Sequence, residues 1–136
     1  MLLGVHDRDP RRGGELAGLI GERTPADAEL VPWTGTYRVP PGTDILVNAT
    51  SVGLHPDVDA RLDLDTGSLQ PHTVVADVIP NPPRTALVGD AEGRGCTVLD
   101  GLGMLVNQGV ISIRHWTGIE ADPTVMRRKV EELFGL

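Results

Sequence analysis

Apolar residues come in short runs along this chain, separated by longer polar stretches. Leu2, Leu3 and Val5 run into a polar turn, so a strand is expected over residues 2–6. Asp9-Pro10 then offers an N-cap followed by proline at the first helical position. Leu16, Leu19 and Ile20 recur at helical spacing, which predicts a helix facing inward on those three residues and ending near Gly21. Residues 29–31 read as a short strand, followed by a loop rich in Pro, Gly and Thr up to Gly42. Further strands are predicted over 44–47, 74–78 and 97–99. The polar stretch 55–73, with Pro56 and Pro71 as breakers, is expected to be mostly loop with at most one helical turn. Pro82-Pro83 opens a short helix over 85–92, and another helix runs from about 103 to 116. Asp122-Pro123 launches the last one, with Met126, Val130, Leu133 and Phe134 at helical spacing.

Strands alternating with helices require crossover connections, and these build a parallel sheet covered on both faces. The expected architecture is a doubly wound α/β domain over residues 1–136. Ligands of such sheets sit beyond the carboxyl ends of the strands, where short polar side chains and glycine let a ligand approach the backbone. The buried-looking run Ile45-Leu46-Val47 passes at once into Asn48, Ala49, Thr50 and Ser51 and turns at Gly53. Three other strand ends are equally unusual: His6-Asp7-Arg8, Asp77-Val78-Ile79-Pro80-Asn81, and Asp100-Gly101-Leu102-Gly103-Met104. Four such ends point to a binding edge rather than to ordinary polar loops.

Composition narrows what could bind there. A chain of 136 residues can bury one core. Its formal net charge of −7 argues against nucleic acid or anionic membrane as a general partner, so an anionic ligand must be met by local groups. Aromatics make up only 3%, which disfavours stacking on bases. No run is long enough to span a bilayer and the first residues lack the order of a secretory signal, so a soluble, cytoplasmic protein is expected. Cys96 is the only cysteine and reads as a small core residue; no cysteine-based metal site is available. His6, His55, His72 and His115 read as surface or packing residues. Asp57 with Asp59 and Asp63 with Asp65 read as a solvated acidic loop with no closed ligand set, so no metal is expected.

Taken in order, VNATSVGL, VVADVIPNPPRTAL, LDGLGMLVNQG and WTGIEADPTVMRRKVEELF resemble the C-terminal, nicotinamide-nucleotide-binding domain of the shikimate dehydrogenase family. The resemblance implies a Rossmann-like fold and an NAD or NADP cofactor. It implies that Asn48, Ala49, Thr50 and Ser51 line the pyrophosphate and nicotinamide-ribose side. Val78 and Gly101 would touch the nicotinamide through their backbone, with the Met104 side chain beside it. Gln108 matches the family's substrate-contacting glutamine, whose amide both donates to and accepts from a ring hydroxyl. Asp7, Arg8, Arg11 and Arg12 fall where the dinucleotide is selected. An acid there favours a free ribose 2′-hydroxyl and an arginine a 2′-phosphate. Asp7 stands where NADP-dependent members typically have Asn, which leans the reading to NAD, while the three arginines keep NADP open.

Two departures matter. Pro80 replaces a tyrosine that helps the family hold its substrate, so quinate or another polyol acid becomes credible beside shikimate. The family's substrate domain, its catalytic lysine and aspartate, and the first strand with its glycine-rich turn have no counterpart here. The truncated sheet would then lack its central strand, and a missing N-terminal domain or a partner chain would be needed. No catalytic residue is therefore expected in this chain. It reads as the cofactor-binding portion of an oxidoreductase acting on a cyclic hydroxy acid, or else as a non-catalytic remnant that docks on a partner.

Overall fold

A computed structural model describes residues 1–135. The chain forms two compact units, residues 1–37 and 38–136. In the first, strand β1 (Leu2–Val5) leads through a sharp turn into helix α1 (Pro10–Arg23), and strand β2 (Asp27–Leu30) returns parallel to β1 with Leu3 opposite Ala28. Asp9 caps α1 by accepting hydrogen bonds from the N–H groups of Arg11 and Arg12, with Pro10 at the first helical position.

The inward face of α1 differs from the expected leucine stripe. Gly13 and Ala17 are the buried residues, whereas Leu16 and Leu19 are exposed. The reason is steric. A Cβ on Gly13 would come within 2.6 Å of Leu30 Cδ1 and 3.1 Å of Asp7 Cβ, so the helix approaches its sheet on its smallest residues and turns its leucines outward. The helix also outruns Gly21, closing at Thr24, whose N–H and hydroxyl both donate to the Ile20 carbonyl.

The second unit is built on a three-stranded parallel sheet in the order β4 (Ile45–Asn48), β6 (Val74–Asp77), β7 (Thr97–Leu99). Two further short strands, β3 (Tyr37–Arg38) and β5 (Leu64–Asp65), were not legible from periodicity, being two residues each. A 3-10 turn at Thr66–Ser68 is the single turn expected in the 55–73 stretch. Helix α2 (Ala86–Gly93) packs against β6 and β7, α3 (Gly101–Thr117) follows β7, and α4 (Pro123–Phe134) packs on α3. The core of this unit gathers Leu69, Val75, Ile79, Leu87, Val88, Ala91, Leu102 and Val106, with Cys96 at its margin.

A parallel sheet is normally covered on both faces, and here one face is open. Alternate residues Ile45 (63%), Val47 (54%) and Leu99 (57%) stay exposed, while Val75 on the other face is fully buried. The physical cause is supply: α2 covers one face of the sheet, and neither α3 nor α4 packs extensively on the strands. The β1–β2 and β4–β6–β7 ladders are separate sheets, so β1 and β4 each keep one edge without a ladder partner among the described residues. Among these residues no helix is long and apolar enough to cross a membrane.

Candidate functional site

The carboxyl ends of β4, β6 and β7 lie side by side, because the register pairs Asn48 with Asp77 and Leu99 with Ala76. Each strand ends in a different way. After β4 the chain runs through exposed Ala49, Thr50 and Ser51 and then turns at Gly53, whose φ of +95° suits glycine and almost no other residue. After β6 the backbone continues extended: the Val78 N–H donates to the Asn48 carbonyl at 3.1 Å, prolonging the ladder by one rung. After β7 the chain enters α3 directly, with Asp100 as N-cap accepting from the Gly103 N–H at 3.0 Å.

Gly101 lets these ends meet. A Cβ there would stand 2.3 Å from the Ile79 carbonyl oxygen and 2.6 Å from the Val78 carbonyl carbon. The backbone leaving β6 thus rests directly on the first turn of α3. Asn48, Thr50, Val78 and Gly101 therefore belong to one continuous edge. Met104 and Gln108 follow on α3, four residues apart and both exposed, so they share one helix face.

Asn48 departs from the ligand-facing place expected of it, since only 4% of it is exposed. Its amide nitrogen donates to Asp77 Oδ1 at 3.2 Å, and its amide oxygen accepts from the Thr50 N–H (3.0 Å) and hydroxyl (2.8 Å). Asp77, 3% exposed, also accepts from the Ile79 N–H (3.0 Å) and the Thr85 hydroxyl (2.7 Å). Thr85 in turn caps α2 by accepting from the Val88 N–H. Sequence reasoning named Asp77 only as part of a strand end and gave neither it nor Thr85 a role. An Asp closing an apolar strand was the visible signal, but its partner lies 29 residues away and only the strand register pairs them.

In the first unit, Asp7 and Arg8 fall in the turn from β1 into α1, and Arg11 and Arg12 in the first turn of α1. The Asp7 carboxylate is anchored, accepting from the Asp9 N–H at 2.8 Å. Arg11 is paired with Glu15 at 3.0 Å, whereas Arg8 and Arg12 are exposed and, among the described residues, carry no side-chain ion pair. His6 packs on Tyr37, with ring centroids 4.1 Å apart, and edge-on to Trp33. Burial holds its imidazole below the usual histidine range and pushes the Tyr37 phenol up. His6 is thus a packing residue.

Burial alone would raise the Asp100 carboxyl, but a hydrogen bond and charge from Arg127, at 2.8 Å, and backbone N–H groups of α3 outweigh it and hold the group low. This pair ties the start of α3 to α4. A cavity of about 90 Å³ under residues 52–66, bordered by Asn48, Arg61, Thr66, Thr85 and Asp90, is well below the roughly 300–1,000 Å³ of small-molecule pockets. The strand-end edge is an open surface. Among the described residues no three His, Cys, Asp or Glu side chains gather as metal ligands.

Small and polar residues at the adjoining carboxyl ends of parallel strands mark the class of open α/β proteins that bind their ligands there. Comparison with known proteins sharpens this. The family model for the shikimate 5′-dehydrogenase C-terminal domain matches residues 101–131. A shikimate dehydrogenase (NADP(+)) of Shouchella clausii is 38% identical over 128 residues, covering 94% of this chain and 45% of the relative. A ligand-free 5-ketofructose reductase of Gluconobacter sp. strain CHM43 superposes with a TM-score of 0.89 at 48% identity, over 98% of this chain and 48% of that one. The quinate dehydrogenase of Corynebacterium glutamicum in complex with NAD gives a TM-score of 0.82 at 32% identity, over 93% of this chain and 44% of that one. This chain is homologous to the C-terminal part of the shikimate and quinate dehydrogenases, and it spans about half the length of the curated relatives it matches.

Proposed function

We propose that this chain is the nicotinamide-nucleotide-binding portion of a shikimate dehydrogenase-like oxidoreductase, both units belonging to one nucleotide-binding domain. The observation that carries the reading is the contact of the Val78–Ile79 backbone with Gly101 beside the exposed Thr50 and Ser51. The edge suits a dinucleotide. The exposed Ser51 hydroxyl offers hydrogen bonds, and the Thr50 hydroxyl, which donates to Asn48 and accepts from the Val52 N–H, keeps one acceptor site. When bound, the cofactor would supply hydride transfer to a carbonyl carbon or from a carbinol carbon. The chain's own part is to hold and orient it: Ala49, Thr50 and Ser51 along the pyrophosphate and ribose, the backbone at Val78 and Gly101 beneath the nicotinamide, and Met104 beside it. Gln108, exposed one turn further on, offers an amide to a substrate hydroxyl. By the family resemblance, the general acid and base belong to a separate substrate domain.

Asp7 sets the preference between dinucleotides. Its carboxylate is held in place by the Asp9 N–H, which fixes a negative charge where a 2′-phosphate would bind, and this favours NAD. Removing that charge leaves Arg8 and Arg12 to attract the phosphate, so Asp7→Asn is expected to move the preference toward NADP, the cofactor in the names of the curated relatives. Fluorescence titration of the chain with NAD and NADP tests both claims. Failure to bind either dinucleotide would dismiss the reading.

A second reading concerns the substrate. The likeness to the 5-ketofructose reductase is 48%, above the 32% to the quinate dehydrogenase, and Pro80 removes the phenol expected of shikimate-type members. Both favour an open or cyclic polyhydroxy ketone over a carboxylated ring. Turnover by the chain within its full-length protein, measured on 3-dehydroshikimate, 3-dehydroquinate and 5-ketofructose, separates the two.

A further inference from the structure

Resting on the cofactor reading above, we propose that Asp77 is the positioning residue of the nicotinamide end, tying residues 48–52 and 78–79 into one wall. Its carboxylate gathers three donors from three elements: Asn48 Nδ2 at 3.2 Å from β4, the Ile79 N–H at 3.0 Å from the strand end, and the Thr85 hydroxyl at 2.7 Å from the cap of α2. Every partner donates, and an ionised carboxylate accepts at both oxygens and donates at neither. Asparagine at this place would turn an N–H₂ toward one of three donors.

The direction of each further bond follows from that one. With its amide nitrogen turned to Asp77, Asn48 must turn its amide oxygen to Thr50, where it accepts from both the N–H and the hydroxyl. The Thr50 hydroxyl, having donated, accepts from the Val52 N–H at 3.1 Å. Asp77 thus sets the conformation of four residues that it does not all touch. Stability gives little reason to place a charge here. No ion pair reaches Asp77 among the described residues, and a packed apolar replacement for a buried charge is often neutral or stabilising. The gain lies in the fixed shape of the wall. A wall already formed is not ordered at the moment of binding, which saves that part of the ligand's affinity.

The test combines amide hydrogen exchange with ligand titration on the chain, using Asp77→Asn and Asn48→Ala. In D77N, protection should fall about tenfold at Thr50, Val52 and Ile79 together, the loss of one charge-assisted hydrogen bond, while the β6 ladder amides keep theirs. In N48A, Thr50 and Val52 should loosen and Ile79 should not. D77N should bind NAD and NADP about tenfold more weakly, yet bind AMP and adenosine 2′,5′-bisphosphate, which lack the pyrophosphate and the whole nicotinamide riboside, within about twofold of the parent. Should D77N not fold, N48A carries the same ligand comparison. Loosening of Ile79 alone in D77N would overturn the relay. Equal weakening of dinucleotides and fragments would reduce Asp77 to a structural residue. A parent chain that binds the fragments and neither dinucleotide would remove the positioning role, whereas one that binds none of them defeats the cofactor reading itself.

Discussion

Replacing Gly101 by alanine adds one carbon where the main chain leaves no room. The new Cβ would lie 2.3 Å from the Ile79 carbonyl oxygen, 2.4 Å from its carbonyl carbon and 2.6 Å from that of Val78. Non-bonded carbons settle at about 3.5–4.0 Å, so one partner must retreat by roughly 1 Å. No rotamer change can relieve this, because all three atoms are backbone. The segment is also pinned, by the Ile79 N–H on Asp77, by the Val78 N–H on Asn48, and by the buried Ile79 side chain. Overpacking of this kind costs about 1–3 kcal/mol, and stretching one of the pinning hydrogen bonds adds about 1 kcal/mol or more. A total of about 2–4 kcal/mol is a large part of the roughly 5–15 kcal/mol that holds a domain folded. Gly89→Ala is the control. It lies within α2 with nothing inside 4 Å of the added carbon, and should gain about 0.5–1 kcal/mol from helix propensity. Urea unfolding followed by far-UV circular dichroism should lower the G101A midpoint by about 1 M or more, given a slope of roughly 1–3 kcal/mol/M, and raise that of G89A slightly. An unchanged G101A midpoint would refute the backbone contact, and with it the meeting of strand ends on which the site depends.

Other perturbations probe separate parts of the structure. Thr85→Ala deletes both the α2 cap and a donor to buried Asp77, and should cost about 1–3 kcal/mol in the same urea assay; a loss under 0.5 kcal/mol would speak against the network. His6, with its folded value lowered by burial, binds fewer protons folded than unfolded below about pH 6.5. Stability should therefore fall as pH drops through that value and flatten below the folded one, and His6→Phe should abolish this slope; a parent and variant with parallel melting profiles between pH 5 and 7.5 would contradict the burial. Asp100 has the same sense at lower pH, its folded value also being depressed, so its contribution is present above the ordinary carboxylate range and is lost as pH falls through the folded value. Arg127→Met should shrink that acid-side loss and cost only about 0.5–1 kcal/mol at neutral pH, because the ion pair is partly exposed; a larger neutral-pH loss would mean that the arginine stem carries the packing.

Much of this was readable before any coordinates. Proline after aspartate placed the starts of α1 and α4, and the apolar triplets placed β4 and β6 to within a residue. Both signals are local: a cap and a strand run each act within a few neighbouring residues. The strand-end blocks were likewise legible, as their small and polar residues break the apolar runs abruptly. The errors came where a residue's role depends on what it faces. Leu16 and Leu19 sit at proper helical spacing, yet α1 docks on Gly13 and Ala17 because Leu30 and Asp7 leave no room for larger side chains.

What the sequence determined by itself was the alternation of elements, the parallel α/β class and the places where chemistry collects, since periodicity, caps and turn residues are properties of neighbouring positions. Tertiary structure alone decided that Asn48 turns inward to Asp77, that Gly101 carries the Val78–Ile79 backbone, and that Ile45, Val47 and Leu99 stay open on one sheet face. Those outcomes depend on strand register and on which surfaces are supplied with a cover. Both are set by contacts between residues tens of positions apart, where no local pattern reaches.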